Sequence, residues 1–292
     1  MIGCHDSLER AAQFVHRVGS APGTSLGHLV EALFGLSVAE QAMVAGSASY
    51  VDAIVGPLGH ALDEGWKAGT FDPFDFDAKL LLFCGRAMRS RAVQCDALDT
   101  FARDVAAAML EMPVVPRNLA GEARLLQAIG YETVDVDSRI DEEVAGPTNS
   151  LLQADSSDIR EFCNRVAAMS LFGSRAIDTS ETPEFLFGLT TLLLEKFRQY
   201  DLILGASLLR TLKYLRASVD DDYEYVVEYL MCQQQEDGRF GYYARELTEA
   251  PGLDNAEQDL YLPVTVSVVW ALAEVSVPGF CIVPRSIASV AE

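Results

Sequence analysis

Apolar residues recur at helical spacing along almost the whole of this 292-residue chain. Positions repeating every three to four residues share one face of a helix, whereas a strand alternates its faces residue by residue. Block after block opens on Asp, Ser or Thr and closes near Gly, Pro or a polar cluster, the signals that start and stop helices. The clearest block is 182–200. Thr182 can cap it, Pro183 fits the first helical position, and Glu184 meets the positive end of the helix dipole. Phe185, Leu189, Leu192, Leu193 and Phe197 form its apolar stripe. Asp201 opens the next block, with Leu204, Leu208, Leu212 and Leu215 in line, and 219–235 and 259–275 follow in the same style. In the first half the spacing predicts helices at 6–18, 25–36, 37–46, 49–66, 76–90, 96–112 and 118–130. The one strand-like stretch, 133–136, is too short to count. About a dozen helices joined by short turns predict an all-α fold of stacked antiparallel hairpins.

Half of the residues are apolar, enough for a sizeable core, which excludes wholesale disorder. The 22 basic side chains face 43 acidic ones, a net charge of −21. A field of that sign repels nucleic-acid backbones and anionic membrane, so neither partner is expected. His5, Asp6, Glu9 and Arg10 occupy the place of a secretory leader's apolar stretch, so no leader is expected. The most apolar window, 264–283, is interrupted by Glu274, Pro278 and Gly279 and reads as a buried helix rather than a membrane span. Six cysteines are scattered without a CxxC pair, which predicts reduced thiols and a cytoplasmic location. The stretch 112–117 holds two prolines and is a turn. Residues 137–158 are acidic and polar around Gly146-Pro147 and are the candidate internal boundary. The halves do not differ in composition, so a single domain over 1–292 is expected.

The strongest local signal lies at 225–243. A helix ends in Gln233-Gln234-Gln235, and Asp237-Gly238-Arg239-Phe240-Gly241 follows. Asp-Gly is a tight-turn pair because glycine accepts positive φ, and Phe240 can fold back as an apolar plug. This segment resembles the glutamine–glycine–aromatic turn of the terpenoid cyclases and protein prenyltransferases, with Gln233, Gly238 and Phe240 in the matching places. In those families the turn joins an outer helix to the next inner helix of an α/α toroid and braces it without reacting. The basic and small residues that often precede the turn are missing here. The block 259–274 is similar to the inner helix that follows such a turn, so the resemblance covers 201–274. A weaker echo is 58–71 followed by 76–90. The Ala-, Val-, Asp- and Arg-rich style is also similar to actinobacterial toroid-like proteins encoded beside biosynthetic genes.

The resemblance implies a funnel lined by inner helices, and the chemistry of those families can be checked against this chain. Zinc-dependent prenyl transfer needs Asp, Cys and His together in the C-terminal half. All four histidines, His5, His16, His28 and His60, fall in the first sixty residues, so no metal site and no cofactor is expected. There is no Asp-x-Asp-Asp acid motif; Asp75-Phe76-Asp77 shares part of its spacing. The string 220–224 fits a magnesium-binding Asp-Asp-x-x-Glu pattern, but it sits at a helix start, where carboxylates serve as caps. No P-loop, dinucleotide glycine string or Gly-x-Ser-x-Gly occurs. Cys4-His5 at the terminus reads as incidental.

Polar and aromatic residues on inner helices are then the candidates for the funnel wall. Asp75, Asp77 and Asp259 are the candidate acids or bases, with burial expected to raise a carboxyl such as Asp75 or Asp259. His60, Trp66, Tyr242, Tyr243, Tyr261, Thr265 and Trp270 are the candidate substrate contacts. Thr190 and Thr191 read as back-bonding to their own helix. Two functions follow as expectations. One is a metal-independent enzyme, cyclase-like or tailoring, that acts on a hydrophobic small molecule of natural-product biosynthesis. The other is a non-catalytic toroid that binds a small molecule or a basic protein partner.

Overall fold

The computed structural model describes residues 3–112, 119–133, 154–174, 177, 183–215, 221–241 and 257–283. The fold is all-α. Eleven α-helices run through the described residues: α1 (Gly3–Gly19), α2 (Leu26–Gln41), α3 (Ser47–Ala68), α4 (Ala78–Ser90), α5 (Asp96–Glu111), α6 (Ala120–Ala128), α7 (Ser156–Met169), α8 (Pro183–Arg198), α9 (Leu202–Tyr214), α10 (Asp221–Cys232) and α11 (Leu262–Ser276). More than half of the chain is helical, and the one β-type pairing among the described residues is a single bridge between Gln234 and Phe240.

Two differences from the sequence expectation have local causes. The helices expected at 25–36 and 37–46 are one, α2, which runs unbroken to Gln41. Ser37 resembles a cap, yet its hydroxyl donates to the Leu33 carbonyl at 2.7 Å and stays inside the helix. Conversely, α7 begins inside the stretch read as a polar boundary. Asp155 caps it by accepting from Ser157 and Asp158, and the Asp158 carboxylate accepts from the Asp155 N–H in return. The rest of that boundary, 137–153, lies outside the described residues.

The chain forms two compact units. Unit 1 comprises Met1–Leu58, Thr191–Arg210 and Ser218–Phe280; unit 2 comprises Gly59–Thr190, Thr211–Ala217 and Cys281–Glu292. In unit 1, α1, α2 and α11 pack on one another. Helix α1 is amphipathic and buries Cys4, Leu8, Ala11, Ala12, Phe14, Val15 and Val18. Helices α2 and α11 are apolar on nearly every side and form the centre of the unit, as helices hydrophobic all round must. The stretch Glu257–Ser276 is long and apolar enough to cross a membrane, and in unit 1 most of it is buried. Helices α2 and α11 run parallel, since His28 meets Asp259 at their starts while Phe34 meets Trp270 further along both. At Gly35 a Cβ would lie 2.8 Å from Val266, so glycine is what lets the two helices approach.

In unit 2, α4 packs on α5 and α6, and α6 packs on α7. Cys95, at the cap position of α5, makes no side-chain cap. Asp63 of α3 substitutes for it by accepting from the Ala97 N–H at 2.9 Å. Phe83 and Phe172 meet edge to face in the core of this unit. None of the six cysteines, all of them among the described residues, is in a disulfide, and Cys4, Cys84, Cys95 and Cys163 are buried.

Candidate functional site

The glutamine-rich turn of unit 1 is a brace. Helix α10 ends as the Gln233 N–H bonds the Leu230 carbonyl, and the chain then reverses. The glutamines that hold the turn are Gln234 and Gln235, one and two places beyond the expected Gln233. The Gln234 amide donates to the carbonyls of Ser7 (2.8 Å) and Gly238 (3.0 Å), and its oxygen accepts from the Ser7 hydroxyl (2.9 Å). Gln235 donates to the Gly241 carbonyl and accepts from Arg239 Nε. Gly238 takes φ +93°, as the turn demands, and lies against the backbone of Arg10. Phe240 is fully buried, and its N–H donates to Thr265 Oγ1 at 3.0 Å. Tyr261 is buried under the guanidinium of Arg239. Thr265 and Tyr261, expected as substrate contacts, therefore belong to this brace.

The expected acids sit at, or in the short turns just before, the starts of α4 and α11. Asp77 is the N-cap of α4 and accepts from the Lys79 N–H at 2.8 Å. Asp75 ends a 3-10 turn, Pro73–Asp75, that Asp72 caps. Asp259 lies in a π-helical turn, Glu257–Tyr261, and pairs with His28 Nε2 at 3.2 Å. All three carboxylates are exposed, so the burial expected for Asp75 and Asp259 is not observed. His60 and Trp66 are exposed on α3 in unit 2. Thr190 back-bonds to the Leu186 carbonyl as expected. Tyr242, Tyr243 and Asp220 lie outside the described residues, and Asp221–Glu224 open α10.

Trp270 remains, and around it unit 1 gathers polar groups onto apolar helices. Ser267, Trp270 and Glu274 fall on one stripe of α11, roughly opposite Thr265 by helical geometry. The Trp270 indole meets Phe34 of α2 edge to face at 5.2 Å between centroids, and Arg210 of α9 lies 3.5 Å above its ring. Its N–H donates to Glu274 Oε1 at 3.2 Å, and Glu274 is 2% exposed. Arg210 Nη2 donates to Ser207 one turn earlier.

One turn before Phe34, Glu31 projects from the same side of α2, where residues three apart are neighbours. Its Oε2 is buried with no hydrogen-bond partner. Removal from water pushes this carboxyl up to about 7, because burial penalises the charged form. In unit 2 the comparable acid is Glu122, also raised by burial, but there the Lys79 ammonium stands 3.3 Å away and opposes the shift.

Comparison with protein-family models, with curated proteins and with solved structures finds no match to this chain.

Glu31, Arg210 and Glu274 are not among the site candidates read from the sequence, which are aspartates, aromatics, His60 and Thr265. Their signal is a charge set within an apolar stretch of helix: Val30-Glu31-Ala32, Leu209-Arg210-Thr211 and Ala273-Glu274-Val275. Such placements are costly and so are informative. Among the described residues no three His, Cys, Asp or Glu side chains gather as a metal site would require.

Proposed function

We propose that this protein is a metal-independent enzyme acting on a hydrophobic small molecule at the Phe34–Trp270 wall of unit 1, with the Glu31 carboxyl moving the proton. The observation that carries the reading is Glu31 Oε2, buried without a partner on a helix otherwise suited to the core. A carboxyl held so costs stability, and groups retained at such cost are candidates for chemistry. A carboxyl poised near neutrality both gives and takes a proton at working pH, as acid–base catalysis requires. Phe34, itself buried, and the half-buried Trp270 supply the apolar, aromatic character. The architecture we propose is the α-hairpin toroid. Its support within unit 1 is the parallel pair α2 and α11 and the glutamine turn anchored on α1. The cytoplasm and a cyclase-like or tailoring step of natural-product biosynthesis complete the proposal, supported by cysteines that form no disulfide and by the resemblance of the turn.

One observation favours the second reading, a binding protein without chemistry. Arg210 covers a face of the Trp270 ring, where a flat ligand would otherwise stack. Native mass spectrometry of the purified protein, followed by incubation with any apolar species it retains, separates the two. Conversion by the wild type and none by Glu31→Gln supports the enzyme. Binding without conversion by the wild type overturns it in favour of the binder.

A further inference from the structure

The rim of unit 1 holds a second constellation, separate from Glu31 and the Phe34–Trp270 wall. Ser25 is the N-cap of α2, and its Oγ accepts from the His28 N–H at 3.3 Å. The same Oγ lies 2.8 Å from His28 Nδ1. The other ring nitrogen, Nε2, lies 3.2 Å from Asp259 Oδ1. A carboxylate only accepts, so Nε2 carries a proton toward Asp259, and in the neutral imidazole Nδ1 is left to accept from the serine hydroxyl. Helix capping accounts for Ser25 and its bond to the His28 N–H. It does not account for Asp259, which reaches His28 from a turn more than two hundred residues away. That turn is pinned a second time, where Gln258 Nε2 donates to Thr24 Oγ1 at 3.0 Å. The imidazole is mostly buried, whereas Ser25 is exposed and open to a reagent.

We propose that Ser25, His28 and Asp259 form a nucleophilic triad that cleaves small neutral esters through an acyl-serine intermediate. Nucleophile and base lie within hydrogen-bond reach, and a third group orients the base, which is the arrangement such catalysis needs. Ser25 Oγ attacks the ester carbonyl carbon, and its proton passes to His28 Nδ1. Nδ1–H then protonates the departing alkoxide, so an alcohol leaves and the acyl group stays on Oγ. Water attacks the acyl-serine and gives its proton to Nδ1; the acid departs and the serine recovers its proton. The N–H groups of Leu26 and Gly27, in the first turn of α2, point toward the helix start, where negative charge develops on the carbonyl oxygen. Asp259 is a positioning residue: it fixes the tautomer and steadies the imidazolium. The net charge of −21 disfavours anionic esters and leaves neutral ones as the substrate class.

The test is covalent labelling of the full chain with a fluorophosphonate, in which Oγ displaces fluoride from phosphorus. Peptide mapping of the wild type should place one adduct on Ser25. His28→Gln should slow labelling by about a hundredfold or more, the scale of lost base catalysis. Asp259→Asn should slow it as well, because the imidazole loses the carboxylate that orients it. Mapping uses the wild type alone, so its outcome does not depend on a variant folding. A folded wild type that gains no adduct on Ser25, or one whose labelling rate His28→Gln leaves unchanged, overturns the proposal and leaves the trio as a helix cap with a surface ion pair.

Discussion

Gly238 sits so close to Arg10 that a Cβ on it would lie 2.0 Å from the Arg10 carbonyl oxygen and 2.5 Å from its carbon. Two constraints meet at that residue. Its φ of +93° suits glycine, and the neighbouring atoms belong to a helix backbone that cannot rotate aside. Gly23 shares the first constraint, at φ +80°, but nothing lies within 4 Å of its Cβ position. Gly23→Ala should therefore cost backbone strain alone, ~1–3 kcal/mol. Gly238→Ala should cost that and at least ~1–3 kcal/mol more, because the turn must lift off α1. Urea unfolding of the two variants side by side checks the difference.

Phe240 and Thr265 make the next test of the brace. Phe240→Ala removes a fully buried ring and should cost ~3–5 kcal/mol. Thr265→Val keeps the shape but strips the acceptor from the buried Phe240 N–H, which should cost ~1–3 kcal/mol. If Thr265 instead contacts substrate, Thr265→Val would leave the melting temperature unmoved and weaken ligand binding.

Much of this fold is legible before any coordinates are seen, because helical periodicity is a property of the chain itself and the core of each helix follows from it. The stripe Phe185–Leu189–Leu192–Leu193–Phe197 is buried as its spacing predicts. The turn is legible in kind, since Gly238 and Phe240 adopt the expected roles, but not in register. Three consecutive glutamines carry nearly the same local information, and only the position of Ser7 on α1 selects Gln234. Asp75 and Asp77 draw attention because carboxylates start helices as readily as they catalyse, and spacing cannot tell the two apart. Glu31 shows the converse. Its importance comes from being removed from water by α2's neighbours, a tertiary fact that no local pattern spells out.

Thiol chemistry gives an independent check on burial. Desolvation raises the Cys84 and Cys4 thiols and pushes Cys95 up to about 12, so none of them offers thiolate at neutral pH. Cys232, at the end of α10, is exposed. Ellman's reagent at pH 8 should titrate Cys232 within minutes in the native protein, with Cys84 and Cys95 reacting only after denaturation. Fast reaction of Cys84 or Cys95 under native conditions would mean that unit 2 opens readily.

The pH dependence of stability isolates Glu31. Its carboxyl titrates near 7 in the folded chain and near its ordinary 4.5 when unfolded. Below pH 4 both states hold the proton and the residue is neutral toward folding. As pH rises from 4.5 to 7 the unfolded chain releases its proton while the folded chain keeps it, so stability falls through that window. Above 7 the loss is complete, roughly 2–4 kcal/mol. Glu31→Gln removes the ionisation while preserving the shape. The variant should therefore match the wild type at pH 4 and exceed its stability at pH 8 by about that amount, with a melting temperature higher by several degrees. A site kept for chemistry should pair this gain with a loss of turnover, since the proton needed for reaction is the one whose removal destabilises the fold. Unfolding of both proteins from pH 4 to pH 8 decides it. Parallel curves across that range would place the Glu31 carboxylate in water and remove the acid–base reading with it.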